Sequence, residues 1–343
     1  MSKQFPICQI IPPHILENIA EQGKQQLRAL ALQSLAMSAR IRGQRDIASL
    51  LPIHAVAGTK RRTVYNTQHS ETLPGGRTRS EGNKAVKDKT VNEAYDYSGD
   101  VYDFYNEVFD RNSIDDQGLR LDSTVHYGED YDNAFWNGSQ MVYGDGDGQI
   151  FQRFTKSIDV VGHELTHGVT QFEAGLNYSD QPGALNESFS DVFGSLVKQW
   201  KLKQPANKAD WLIGKGLFTS KVKGVALRSM KAPGTAYDDP TIGKDPQPAH
   251  MKNYYKGTAD HGGVHINSGI PNHAFFLAAT AIGGNAWEKA GKIWYIALRD
   301  RLRPVSKFKD AANATISVAR DVYGSGSTEE TAVKTAWTQV GVL

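Results

Sequence analysis

His163 and His167 stand four residues apart in Val161-Gly-His-Glu-Leu-Thr-His-Gly168. On a helix, four residues advance about 400° and rise about 6 Å, so both imidazoles leave one face a turn apart. Such a pair can bring two nitrogens to one metal ion at about 2.0–2.1 Å. Glu187, in Asn186-Glu-Ser-Phe-Ser-Asp191, offers a carboxylate oxygen from a second helix. Three protein ligands leave a position open to water, which marks a catalytic zinc; a structural zinc is closed by four. Glu164, next to the first ligand, projects beside the ion and can take a proton from that water. Asp191, one helical turn beyond Glu187, can accept the other N–H of a ligand imidazole and fix its tautomer. Alone, the first segment also fits a polar surface helix. The second segment weighs against that.

The elements that must position these residues follow from texture. Residues 1–57 carry a Pro12-Pro13 step and then helical periodicity: Ile15, Leu16 and Ile19 on one face, and after Gly23, Leu27, Leu30, Ala31, Leu35 and Ala39 on another. Arg40, Arg42 and Arg45 suit a helix C-terminus. Leu51-Pro-Ile-His-Ala-Val-Ala-Gly58 then reads as a linker, which a protease could open or which could join a permanent subdomain. Residues 58–156 are β-rich, with strands expected at Thr63–Thr67, Ser123–Tyr127 and Met141–Tyr143 and one amphipathic helix at Asn92–Phe109. Gly144-Asp-Gly-Asp-Gly148 lacks the ligand spacing of a calcium hand and reads as a tight turn. Residues 157–343 are mostly helical: Ser157–Phe172, Ala184–Trp200, Ile270–Ile282, Ala286–Arg301, Lys309–Tyr323 and Glu329–Val340. The expected class is α+β. A β-rich lobe, a central helix bearing the metal and a helical lobe would place the site in the cleft between them.

Composition agrees with a globular enzyme. The 343 residues should form two lobes, 39% hydrophobic and 22% charged, and a net charge of +2 offers no field for nucleic acid. The Lys60-Arg61-Arg62 run reads as a solvated connector. No apolar run approaches the roughly 18 residues of a membrane span. The first eight residues lack the basic and apolar regions of a standard secretory signal, which leaves a cytoplasmic location or export by another route. Cys8, the single cysteine, excludes an intramolecular disulfide.

Several long segments together resemble the thermolysin-like zinc metalloproteases, and within them the protealysin-type branch with short propeptides. They are Asn133–Gly148, the His163 segment, Asn186–Asp191, Ala226-Leu-Arg-Ser-Met230 and Gly262-Gly-Val-His-Ile-Asn-Ser-Gly-Ile-Pro271, and the resemblance spans essentially the whole chain. It implies a secreted, monomeric endopeptidase made as a zymogen. Zinc would sit on His163, His167 and Glu187, with Glu164 as general base. Tyr178 and His265 would donate hydrogen bonds to the oxyanion, and Asp260 would orient His265; from its surroundings alone, His265 reads as a loop residue near glycines. Asn133 and the backbone of Ala134 would hold an extended peptide as an added strand. Arg228 would bond the carbonyl after the scissile bond. Phe151, Phe154, Val160, Leu217 and Leu227 would line an apolar pocket, implying cleavage before bulky hydrophobic residues.

The resemblance also implies that residues 1–57 are an inhibitory propeptide removed autocatalytically at the 51–58 joint. Pro12, Pro13 and Leu16, in Pro12-Pro-His-Ile-Leu16, would occupy the cleft without presenting a normal cleavable strand, because proline fixes φ and lacks a donor. Cys8 could instead ligate the zinc as a thiolate, or be a small buried hydrophobe. Relatives with longer propeptides hold paired calcium ions in a cluster of acids. Here Asp159 and Asp210 remain, while Lys198, Leu212 and Lys215 stand where acids would be needed, so the paired site is expected to be absent. A zinc-dependent binding module and a hydrolase of small esters are the competing classes. Glu164, Tyr178 and His265 argue against the first, and internal cleavage of a protein substrate separates the second.

Overall fold

A computed structural model describes residues 8–48 and 59–343. The Leu51–Gly58 joint lies outside the described residues. Strand β1 (Cys8–Gln9) and helices α1 (Pro13–Gln22) and α2 (Gln25–Ala48) come first. The β-rich part holds β2 (Arg62–Asn66), β3 (Gly76–Ser80), α3 (Lys89–Phe109), β4 (Leu121–Val125), β5 (Ala134–Trp136) and β6 (Met141–Tyr143). One six-stranded sheet runs in the order β1-β5-β6-β4-β2-β3. Its interior pairs β6–β4 and β4–β2 are parallel, and the outer pairs are antiparallel. Strand β3, rich in Arg, Gly and Ser, gave no apolar alternation to read.

Helices α4 (Ile158–Phe172) and α5 (Asp180–Leu202) form the centre. They cross closely because Gly162 meets Gly194: a Cβ on Gly194 would lie 2.4 Å from the Asp159 carbonyl oxygen. Two short hairpins follow, β7 (Leu212–Ile213) with β8 (Arg228–Ser229), and β9 (Asp238–Asp239) with β10 (Gly243–Lys244). The C-terminal part is α6 (Ala259–Asn267), α7 (Gly269–Ile282), α8 (Ala290–Ile296), α9 (Phe308–Tyr323) and α10 (Thr328–Gln339). The expected helix over 286–301 is instead α8 followed by a π-helical turn over Ala297–Arg301. Among the described residues no helix is long and apolar enough to cross a membrane.

Two sequence expectations are corrected. The Lys60-Arg61-Arg62 run is paired rather than solvated. Lys60 bonds Asp103, Arg61 donates to the Gly118 carbonyl at 2.8 Å, and Arg62 pairs with Glu81 while lying 3.8 Å above the Tyr95 ring. The buried stripe of α2 excludes Ala39 and includes Ser34, Met37 and Ser38. That face meets polar groups: Ser34 Oγ accepts from the Asp132 amide at 3.1 Å, and Ser38 Oγ lies 3.1 Å from the Tyr131 hydroxyl. Apolar periodicity alone cannot register a face that binds through hydroxyls.

Helix α1 packs Ile15, Leu16 and Ile19 inward. His14 Nε2 meets the Tyr237 hydroxyl at 2.9 Å, while its Nδ1 is buried with no partner. Burial lowers the His14 pKa to about 4, Asp260 pulls the other way, and His265 and Arg228 add to the lowering. A base held neutral in the docked state leaves docking strongest above the free histidine value of 6.5 and weakens it as pH falls toward about 4. The full effect is about 3 kcal/mol. Hydrogen exchange in α1, corrected for intrinsic rates, should therefore show more opening at pH 5 than at pH 7. His14→Gln should remove most of that difference, and an unchanged difference would contradict the role of His14.

Candidate active site

Helix α4 presents His163 and His167 on one face, and α5 brings Glu187 against them. The two Nε2 atoms are 3.0 Å apart. Glu187 Oε2 lies 3.5 Å from His163 Nε2, and its Oε1 lies 3.5 Å from His167 Nε2. Ligands at about 2.0–2.1 Å around a tetrahedral zinc are separated by about 3.3 Å, so this triangle is the right size. The tautomers agree. His163 Nδ1 donates to Asp191 Oδ1 at 2.8 Å, and His167 Nδ1 to Asn186 Oδ1 at 2.8 Å with Ser190 Oγ at 3.0 Å. Both Nε2 lone pairs therefore face each other, and Glu187 Oε2 is buried with no hydrogen-bond partner among the described residues. Lone pairs and an orphan carboxylate oxygen converging in a dry site fit a cation. Burial and the neighbouring His163 push His167 well below the ordinary histidine value, which keeps a neutral ligand.

Glu164 stands beside the triangle. Its Oε2 accepts from the Trp136 amide at 3.0 Å, and its Oε1 is buried without a partner. Burial and the Glu187 carboxylate push its pKa well up from the ordinary carboxylate value. Opposite it, the Tyr178 hydroxyl donates to Glu187 and lies 3.2 Å from His265 Nε2. Asp260 holds His265 through Nδ1 at 2.6 Å and through the backbone amide at 2.8 Å. Burial opposes the charge on His265, but Asp260 and Glu187 outweigh it and raise the pKa to about 9. The segment that carries His265 is helical only from Val264. Asp260, His261, Gly262 and Gly263 are all left-handed, with φ of 54°, 51°, 85° and 78°. That reversal swings the Asp260 carboxylate back to the ring five residues on, which no helical periodicity announces.

Residues Cys8–Ile11 lie in the cleft. Strand β1 pairs antiparallel with β5, Cys8 opposite Trp136 and Gln9 opposite Phe135. The Ile10 amide donates to the Ala134 carbonyl at 3.2 Å, and the Ile11 amide to Asn133 Oδ1 at 3.0 Å. Arg228 Nη1 donates to the Ile10 carbonyl at 3.0 Å. His265 Nε2 lies 2.9 Å from the Gln9 carbonyl oxygen. The carbonyl that meets His265 is thus that of Gln9, and the next along the chain is the one Arg228 holds. Cys8 Sγ, His167 and Glu187 place ligand atoms within 4.8 Å of one another. The expectation for Pro12, Pro13 and Leu16 is shifted: the extended stretch against β5 is upstream of them. Pro12 and Pro13 open α1, and Leu16 packs in the apolar core.

The remaining sequence candidates fall in two groups. Phe151, Phe154, Val160, Leu217 and Leu227 are all buried in the same continuous apolar cluster as Ile10. Arg228 gives Nε and Nη2 to Asp191 at 2.8 Å each, and Asn272 adds a fourth bond, beside that of His163, to the carboxylate at 2.8 Å. Arg228 and His163 overcome the burial of Asp191 and hold its pKa below the usual carboxylate range. Asn186, Ser190 and Asn272 were missed as partners. The signal for Ser190 was present, since it follows Glu187 by three residues and shares its helix face. Away from the cleft, Lys198 Nζ lies 2.8 Å from Asp159 Oδ2 and 3.0 Å from Asp210 Oδ1.

Residues 53–171 match the profile of the thermolysin metallopeptidase catalytic domain, and residues 174–342 that of its α-helical domain. The chain belongs to the thermolysin family of metallopeptidases. It is 50% identical over 350 residues to an extracellular metalloprotease of Pectobacterium carotovorum subsp. carotovorum, covering 99% of this chain and 98% of that one. It is 47% identical to protease PrtS of Photorhabdus sp. (strain Az29), covering 97% and 91%. Thermolysin of Alicyclobacillus acidocaldarius subsp. acidocaldarius is 45% identical over 81% of this chain and 50% of its own length. Among solved structures, the precursor of protealysin, a metalloproteinase from Serratia proteamaculans, superposes with a TM-score of 0.90 at 53% identity over 98% of this chain and all of that one. The chain is thus a thermolysin-type zinc metalloendopeptidase that resembles a propeptide-bearing precursor. The thermolysin family implies a catalytic zinc, and the His163, His167 and Glu187 atoms described above fit it.

Proposed function

We propose that the chain is a self-inhibited endopeptidase cutting before bulky hydrophobic residues, with Glu164 as general base. Zinc, when bound, supplies a Lewis acid that polarises the scissile carbonyl and acidifies water. His163, His167 and Glu187 hold it. Glu164 accepts the proton, and its raised pKa suits that transfer. His265 and Tyr178 donate to the carbonyl oxygen as it gains charge, with Asp260 fixing the His265 ring. Asn133 and Ala134 take the substrate backbone as an added strand, and Arg228 takes the carbonyl after the scissile bond. All these groups come from one chain, which is consistent with a monomer.

The observation that carries this reading is the seat of Cys8–Ile11 in the cleft. The segment uses the strand edge, the arginine and the histidine that a substrate would use, with apolar Ile10 on the leaving side. On this reading residues 1–57 are the propeptide, 58–156 the β-rich catalytic lobe, and 157–343 the active-site helix and helical lobe. Cys8, within ligand reach of His167 and Glu187, would displace water from the metal. The paired calcium site is absent on this reading, because Lys198 pairs with Asp159 and Asp210, and Lys215 with Asp210, which neutralises the two acids.

Purified full chain, followed by mass spectrometry with and without a chelator, should lose a segment ending within residues 51–58 only when metal is retained. Cys8→Ser should release activity in the uncleaved chain if the thiolate blocks the metal. Replacing Pro12 and Leu16 should release it if α1 anchors the strand in the cleft. An intact wild-type chain already fully active on peptides would defeat the inhibitory role.

A further inference from the structure

A second set of metal-type donors lies in the β-rich lobe, built from residues outside the catalytic constellation. Strands β6, β4 and β2 are adjacent and parallel, so their carboxyl ends lie side by side. Just past those ends stand Asp145, His126 and His69, whose ligand atoms all fall within 4.8 Å of one another. His126 Nδ1 is 2.7 Å from Asp145 Oδ2, and His69 Nδ1 is 3.7 Å from that same oxygen. The carboxyl edge of parallel strands is where open sheets gather ligand-binding groups.

Three further observations point to a ligand site. The loops are fixed before any ion arrives: the His69 amide donates to the His126 carbonyl at 2.9 Å, and the Gly128 amide to the Ser70 carbonyl at 3.2 Å. His126 Nε2 is held by Asp88 Oδ2 at 2.8 Å, while Asp88 Oδ1 caps α3 through the Thr90 and Val91 amides. A carboxylate on the far nitrogen of a histidine is the usual support for a metal-ligating imidazole. The charge around the site is also negative, with Glu129, Asp130 and Asp147 beside Asp145 and His69. The Gly144–Gly148 segment is irregular up to Asp147, where a bend over Gly148–Ile150 begins and Asp147 Oδ1 accepts from the Gln149, Ile150 and Phe151 amides.

We propose that His69, His126 and Asp145 form a second divalent-metal site, distinct from the catalytic one, taking zinc or a similar borderline ion. Two imidazoles and one carboxylate are the donor set such ions prefer, and hard ions such as calcium or magnesium are not served by them. The ion takes the place of the proton on His126 Nδ1 and of the one that His69 Nδ1 shares with the Gly128 carbonyl at 3.3 Å, while His126 Nε2–H stays with Asp88. His69 is about half exposed, so the remaining coordination positions face water. Bound there, the ion ties together the loops that follow three strands and stabilises the lobe by mass action. The competing arrangement is a protonated His126 bridging Asp88 and Asp145 with no metal at all.

The test is metal stoichiometry of the full chain, dialysed near neutral pH against about 10 μM zinc and compared with His69→Ala. His69→Ala leaves the Asp88–His126–Asp145 chain of hydrogen bonds in place, so its fold is retained. Wild type should hold about two zinc ions per chain and His69→Ala about one, with Asp145→Asn matching His69→Ala. Added zinc should raise the unfolding temperature of both proteins through the catalytic site, and by clearly more in wild type than in His69→Ala. About one ion in wild type, or about two in His69→Ala, would overturn the proposal; the first result is also what a purely protonic His126 bridge gives.

Discussion

Glu164→Ala is expected to keep about one catalytic zinc per chain while peptide hydrolysis falls by about 10²–10⁴-fold. The separation follows from geometry. The ligand triangle is made by His163, His167 and Glu187, and their supports are Asp191, Asn186 and Ser190. Glu164 touches none of these supports. Among the described residues its one hydrogen bond is to the Trp136 amide, and its other oxygen is a buried acceptor with no partner. Removing a desolvated carboxylate that is repelled by Glu187 relieves a cost, so thermal stability should hold or rise. Glu164→Gln tests the chemistry at constant shape and should be as inactive. If maturation is autocatalytic, neither variant should process itself. Zinc content and kcat/KM measured on the same sample decide the matter. An alanine variant as active as wild type, or one that loses zinc and activity together, would remove Glu164 from the role of base.

What the sequence reveals about this site is set by how each group is held. His163, His167, Glu187 and Asp191 lie on two regular helices, where spacing fixes direction, and their geometry could be read from the letters. His265 and Asp260 depend on four consecutive left-handed residues. Such a turn has no period, so only resemblance to a family linked them. Asn133, Ala134 and Arg228 act through a strand edge whose partner is remote in sequence. The pairing of β1 with β5 joins residues more than a hundred apart, and three-residue strands leave no alternation to count. The fold divides the same way. The long helices were legible within a few residues, while β3, β5 and the two small hairpins were not. The polar face of α2 was misread because Ser34 and Ser38 bury themselves by hydrogen bonding rather than by hydrophobicity.

Arg228 carries the second large expectation, because it serves two partners at once. Nε and Nη2 form a bidentate pair with Asp191, and Nη1 holds the Ile10 carbonyl. Both charges of the pair are almost fully buried, at 2% and 0% exposure. Removing one partner of such a pair leaves the other uncompensated, at a cost of about 3–5 kcal/mol. Arg228→Ala should therefore unfold well below wild type and also lose its hold on the bound strand. Arg228→Lys keeps a charge but not the planar fork, and cannot serve two acceptors in the same geometry. It should keep part of the stability while kcat/KM falls by the worth of a charged hydrogen bond, about 1.5–3 kcal/mol. The double variant Arg228→Met with Asp191→Asn is the informative control. If the cost of Arg228→Ala is an orphaned buried charge, the double variant should be milder than the sum of its single changes. It should still bind peptide poorly, because the carbonyl contact is gone. Additive losses in stability, or an Arg228→Lys protein with wild-type kcat/KM, would show that Asp191 is held by its other partners and that the strand does not depend on this arginine.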